Sequence, residues 1–371
     1  MSLINHICSN LVFNSEMAFE ELLVNSKENP STIESKQPLF SWIVDANGYN
    51  KSQSSYHILV ASSEDKLSES TADIWNSEKV GSDQSSFVKY NGKPLEAMTT
   101  YYWKVKIWDK DGNATNWSDY GKFSIGMLKQ TDWKGDWILK EDQKKTDHNW
   151  YRKNFELKDN AESAFVFVGS FGYHELYVNG EKVTENVMNP VSSYMKKRIP
   201  YLTYDISKKL KKGDNVIAVW HAAGWSRWRR IREYRNIPFV FKAQAEILTG
   251  GNQIILKSDS TWKTKKSHTE YYGDWDILRF GGETIDDRKR EDNWNTSDYD
   301  DSNWMNAIVY NHNKLNENIP EGNNISFALN SRKNREVPAL YSPIKAELSA
   351  HLVEPQVTFK KLTAIPVDKN D

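Results

Sequence analysis

Residues 170–207 read SFGYHELYVNGEKVTENVMNPVSSYMKKRIPYLTYDIS, and the fold turns on how that stretch is read. Apolar residues at Phe165, Phe167, Phe171 and Tyr173, then Leu176 and Val178, alternate up to Asn179-Gly180. Alternation that stops at Asn-Gly predicts two antiparallel strands joined by a tight turn, because both turn positions favour a left-handed backbone. A second apolar run over 199–206 leads through Lys211-Lys212-Gly213-Asp214-Asn215 into another strand over 216–221. The pattern has a strand's period of two residues throughout.

Working outward, the same grammar covers most of the chain. Upstream, short runs at 39–44, 56–61, 74–77, 86–90, 101–109 and 121–125 are separated by polar turns at the spacing of a β-sandwich. Asp109-Lys110-Asp111-Gly112-Asn113 makes the last of those turns, and Trp117-Ser118 precedes the final strand as in fibronectin type III modules. Residues 28–128 are therefore read as one such domain. Residues 1–27 form a lead-in with a weakly helical patch at 16–24. Trp103 and Trp108 lie an odd number of residues apart, so a regular strand sends one to the core and the other to a surface.

The second unit, 129–345, opens with Asp132-Trp133 and Asp136-Trp137, followed by a charged exposed loop at 142–147. Strands are expected at 151–157, 163–169, 201–206, 215–221, 238–247, 254–258 and 262–265, with no convincing amphipathic helix between them. The result is an all-β chain: a fibronectin III-like sandwich, then a jelly roll of two antiparallel sheets, with 346–371 as a further β segment or tail. Aromatic-bearing loops at 222–236, 271–287 and 292–304 interrupt the jelly roll, and a polar surface loop follows Tyr310.

Composition removes several function classes. Lys and Arg number 49 and Asp and Glu 50, so no charge footprint for nucleic acid or an anionic membrane exists. One cysteine, Cys8, excludes an internal disulfide framework, and the eight histidines show no metal-ligand spacing. Either a periplasmic or extracellular or a cytoplasmic setting accommodates that. The first twenty residues lack the basic start and apolar run of a signal peptide. Fifteen tryptophans exceed what a core ordinarily uses, and aromatic surplus in β proteins often stacks on the flat faces of sugar rings.

The motifs, in order, resemble a known family. Tyr173-His174-Glu175-Leu176-Tyr177-Val178-Asn179-Gly180, a Pro-containing loop, Tyr201-Leu202-Thr203-Tyr204-Asp205-Ile206 and the Lys-Lys-Gly-Asp-Asn turn precede Gly224-Trp225. Upstream come Pro38-Leu39-Phe40-Ser41-Trp42, the strand 101–109 and Asp132-Trp133-Lys134-Gly135-Asp136-Trp137; downstream comes Gly282-Glu283-Thr284-Ile285-Asp286-Asp287-Arg288. This sequence over about 28–350 resembles the N-terminal β-sandwich region of bacterial α-L-rhamnosidases. Ile285 stands where that family usually has an aromatic.

The resemblance implies an accessory region that supports or targets a catalytic domain, a helical toroid holding the acid and base, which this stretch does not contain. No catalytic residue is therefore assigned, since 50 acidic residues offer carboxylate pairs anywhere and prove nothing. No Gly-x-Ser-x-Gly elbow, phosphate loop or His-Glu-x-x-His pair occurs either. The resemblance also implies a bound partner, a rhamnose-containing glycan, with calcium nearby in some members. Glu185 and Asn186 supply an acid and amide for vicinal hydroxyls, with Tyr173, Trp225 and Trp228 as stacking platforms. After Pro190 the family's Gly-Trp-Thr is replaced by Val191-Ser192-Ser193. Oxygen ligands at 298–303 are the place for Ca2+, though without the spacing of a calcium loop. Asp300-Asp301-Ser302-Asn303-Trp304 reads as a local device, its acids and Ser bonding a turn that Trp304 anchors. Two alternatives stand beside the accessory reading: a self-contained carbohydrate-binding protein and a purely structural docking unit.

Overall fold

A computed structural model describes residues 17–46, 51–194, 197–227, 237–273, 281–317 and 343–350. It is all-β, as the alternation requires: strands form four sheets, and the described helical pieces are single short turns plus His312–Glu317.

The first sandwich is immunoglobulin-like. A four-stranded sheet holds Met17–Val24, Lys27–Glu28, Leu39–Ala46 and Val88–Lys89. A five-stranded sheet centres on Gln53–Ala61 and Thr100–Asp109. Strand Thr100–Asp109 alternates half-buried and buried along its whole length, the direct consequence of its period-two sequence. Trp103 is accordingly 1% exposed in the core, while Trp108 faces out beneath the Lys79 ammonium, 4.3 Å from its ring. Phe40, Trp42, Trp103 and Phe123 fill the space between the sheets.

One expectation is corrected here. The patch 16–24 is not helical: Met17–Val24 is an eight-residue strand paired antiparallel with Leu39–Ala46. A bulge between Phe19 and Glu21 breaks the alternation. Two consecutive glutamates and two leucines then mimic helix-forming text, and tertiary pairing overrides that propensity.

The second sandwich has two sheets of seven strands. One runs Ile308–Val309, Ile138–Leu139, Phe241–Thr249, Ala161–Ser170, Arg198–Asp205 and Glu347–Ala350, with Asn252–Lys257 beside the third. The other runs Glu181–Lys182, Tyr173–Val178, Gly213–Ala222, Asp147–Leu157, Lys263–Tyr272 and Gly282–Ile285, with Met305–Asn306 alongside. The Asn179-Gly180 turn forms as expected, with φ of 49° and 90° at its two residues. Its return strand is only two residues long, and the main partner of Tyr173–Val178 is Gly213–Ala222. Val166, Val168, Leu176, Val219, Phe241 and Trp262 pack between the sheets.

The sandwiches meet over Met127, Trp133, Tyr201 and Leu348. Tyr201 Oη accepts from the Met127 N–H at 3.2 Å, and the Gln130 amide brackets Leu348 with two bonds, 2.7 and 3.0 Å. The loop at 142–147 departs from its expectation at one end. Asp147 is 3% exposed, and its carboxylate accepts from the Lys144 N–H at 2.8 Å and lies 2.9 Å from the Lys266 ammonium.

Candidate functional site

Three connections converge at one end of the second sandwich. The His174 N–H donates to the Asn189 carbonyl at 2.9 Å, which draws the loop after the hairpin up to the start of strand Tyr173–Val178. The Phe171 N–H donates to the Val240 carbonyl at 2.8 Å and brings the segment before Phe241–Thr249 to the same end. Strand Gly213–Ala222 pairs Ala222 with Tyr173 and then passes into the turn Gly224–Arg227. There Gly224 takes φ 45°, and a Cβ on it would sit 2.6 Å from the Tyr173 ring. Only glycine allows this approach of backbone to aromatic ring.

Of the five candidate residues, Tyr173 and the turn that carries Trp225 lie at this end, and Glu185 and Asn186 lie on the loop that is tied here through Asn189. Tyr173 is half-buried; Gly224 covers part of its ring, and burial pushes its phenol well above the usual range. Glu185 is exposed and Asn186 half-buried on the loop tied down through Asn189. Trp225 belongs to the short turn Gly224–Arg227, which the Ser226 hydroxyl closes by donating to the Ala223 carbonyl. Trp228 and the arginines at 229–235 lie outside the described residues. The same loop presents Val187, Met188, Val191 and Tyr194 to solvent, each about half exposed. An acid and an amide thus stand on one loop, next to a second loop that carries a tryptophan.

Beneath this end the core turns polar. His174 and His221 face each other across neighbouring strands. His174 bonds with Ser170 through one ring nitrogen and with Tyr204 Oη at 2.9 Å through the other. Burial pulls its pKa down to about 3, so the ring is neutral in the folded chain. His221 is fully buried among Tyr151, Phe239 and Phe241, with no hydrogen-bond partner at either nitrogen among the described residues. Burial first, then His174 and His148, lower its pKa well below the ordinary imidazole value.

The loop at 292–304 behaves as its motif implies and adds a partner that sequence reasoning missed. The Ser302 N–H donates to Asp300 at 3.0 Å, and Trp304 is 3% exposed. Arg152 is wholly buried beneath the loop. Its guanidinium lies 3.2 Å from Asp301 and donates to the Thr296 and Tyr299 carbonyls at 2.7 and 2.8 Å. Trp150, Trp294 and Trp304 stack there at 5.1 and 6.1 Å between centroids, 16° and 14° from parallel. Asp301 therefore neutralises a buried cation, which takes one oxygen ligand out of the expected calcium cluster. Among the described residues no group of three or more His, Cys, Asp or Glu is arranged to hold a metal.

Comparisons with known proteins follow the same division. Residues 19–129 match the Rha78A-like N-terminal immunoglobulin domain, and residues 159–326 match the α-L-rhamnosidase N-terminal domain. An α-L-rhamnosidase of Formosa agariphila is 36% identical over 344 residues, which covers 84% of this chain and 35% of the relative. One from an Alteromonas species is 30% identical over 296 residues, covering 76% and 32%. The solved α-L-rhamnosidase of Dictyoglumus thermophilum superposes with a TM-score of 0.70 at 29% identity, over 79% of this chain and 34% of that one. The chain spans about a third of the length of the curated relatives it matches.

Proposed function

Because this chain belongs to the α-L-rhamnosidase family as its N-terminal β-sandwich region, we propose that it is the accessory part of a rhamnoside-cleaving enzyme. In this reading it holds a rhamnose-containing glycan at the loop end of the second sandwich. Hydrolysis is assigned to the part of the family outside the matched third. Residues 28–128 form the supporting module and 129–345 the glycan-binding one.

The observation that carries the reading is the convergence at Tyr173. A loop bearing Glu185 and Asn186 is hydrogen-bonded down beside the turn that bears Trp225. Sugar capture needs that pairing: a carboxylate and amide that grip neighbouring hydroxyls, and an aromatic face for the C–H side of the ring. The Val187 to Tyr194 segment adds apolar surface at the rim.

Isothermal titration with L-rhamnose and rhamnose-containing oligosaccharides, with and without calcium, tests it. Saturable heat in the native chain that is lost in Trp225→Ala and reduced in Glu185→Ala supports the reading. No heat with any of these sugars leaves the alternative, a structural unit that docks against a neighbouring domain.

A further inference from the structure

Among the described residues, the outward face of the sheet that carries Tyr173–Val178 is covered over one half and open over the other. Loop 292–304 closes over Arg152, Trp150 and Ala218. Next to that wall the face carries Glu175, Trp220, His268, His148 and Glu283. Register places Glu175 directly opposite Trp220, and Trp220 opposite Trp150. The Trp220 and His268 rings lie 5.5 Å apart at 34° and form a continuous half-exposed aromatic floor. The Trp220 indole N–H and the His268 Nδ1 are buried, with no hydrogen-bond partner among the described residues.

The two carboxylates beside this floor differ. Glu175 is fixed by the Lys182 ammonium at 2.6 Å and the Tyr177 hydroxyl at 2.7 Å. Glu283, with a side chain 57% exposed, has His148 Nδ1 at 3.9 Å as its nearest basic group among the described residues. Partial burial, then the charge of Glu175, raises the pKa of Glu283 above the usual carboxylate value. The face thus presents a flat apolar surface between one anchored carboxylate and one that has no strong donor among the described residues. A pyranose matches this: its C–H face lies on the rings, and its hydroxyls donate to Glu283 and Glu175. A uronate would bring a further negative charge to two existing ones and is disfavoured.

We propose that the open half of this face is a second carbohydrate-binding surface that takes an uncharged sugar residue, with Trp220 and His268 as floor and Glu283 and Glu175 as hydroxyl acceptors. It rests on the carbohydrate-binding reading above and lies on the sheet face, apart from the loops that carry Glu185, Asn186 and Trp225.

Hydrogen exchange of the full chain, with and without a saturating neutral rhamnose oligosaccharide, separates the two sites. The expected result is slowed exchange at 218–222 and 266–270, absent with a uronate-bearing oligosaccharide of the same length. Trp220→Ala abolishes that protection, and the exposed variant Glu283→Gln weakens binding at the face about ten-fold through one charge-assisted hydrogen bond. If Trp220→Ala does not fold, Glu283→Gln decides. Protection confined to 184–190 and 223–227 overturns this inference and leaves the proposed function standing. Protection confined to the face upholds the inference and moves the proposed site. Protection at neither overturns both, and equal protection of the face by the uronate overturns its assignment to an uncharged sugar.

Discussion

The two sandwiches use their aromatic residues differently. In the first, Trp42 and Trp103 are 2% and 1% exposed and sit with Phe40 and Phe123 between the sheets, where they do what large apolar side chains ordinarily do. In the second, the space between the sheets is filled mainly by aliphatic residues with Phe241 and Trp262, and at one end by two buried histidines. Four of its further tryptophans, Trp150, Trp220, Trp294 and Trp304, form a layer outside one sheet. The first sandwich uses Trp42 and Trp103 for interior packing; the second also stacks Trp150, Trp294 and Trp304 into a buried layer outside one sheet, with Trp220 half-buried at its edge.

Each side of that contrast can be broken by substitution. Trp103→Ala removes a fully buried ring and is expected to cost about 3–5 kcal/mol, read by thermal unfolding together with hydrogen exchange. The loss is expected in the first sandwich, and an equal loss of protection in strands 147–157 and 213–222 would mean that the units are not separable supports. Arg152→Ala strips the charge partner from Asp301 and the donors from two carbonyls beneath loop 292–304. About 3 kcal/mol of destabilisation is expected, with early exchange in that loop. A near-neutral result would show that the aromatic layer holds the loop without the ion pair.

Acid sharpens the comparison. The folded pKa values of His174 and His221 lie below the unfolded imidazole value of about 6.5. The unfolded chain therefore binds more protons below that pH, so this stabilisation is complete above it and is lost progressively as pH falls toward 3. The melting temperature should drop by roughly 5 °C or more between pH 7 and pH 5, with exchange rising first in the second sandwich. His221→Phe should flatten that dependence; an unchanged slope would remove the histidine pair from the account. The smallest effect belongs to the surface of the first sandwich. Lys66→Ala breaks a half-exposed 3.0 Å pair with Asp73 and should shift stability by less than ~1 kcal/mol in low salt.

Much of this was legible in the chain because strands announce themselves locally. The Asn179-Gly180 turn, the alternation of 100–109 and the opposite fates of Trp103 and Trp108 all follow from a period of two. The strand at 17–24 was illegible because a bulge hides its alternation and its partner lies in a different segment. Arg152 reads as a surface residue of an ordinary strand, since the carboxylate and carbonyls that justify its burial come from residues 296–301. Trp220 did leave a signal: between Val219 and His221, both buried, it must face the other side of the sheet. The order of motifs singled out Glu185, Asn186 and Trp225, yet the approach of their two loops to Tyr173 depends on the bond from His174 to Asn189 and on Gly224, which single-residue patterns do not encode.

The most direct test is a crystal structure of this chain soaked with a rhamnose-containing disaccharide. The account predicts a sugar ring at the end of the second sandwich, its hydroxyls on Glu185 and Asn186 and its C–H face toward Trp225. A ring bound only on the first sandwich, or no ring at a concentration that saturates other rhamnose binders, would contradict it.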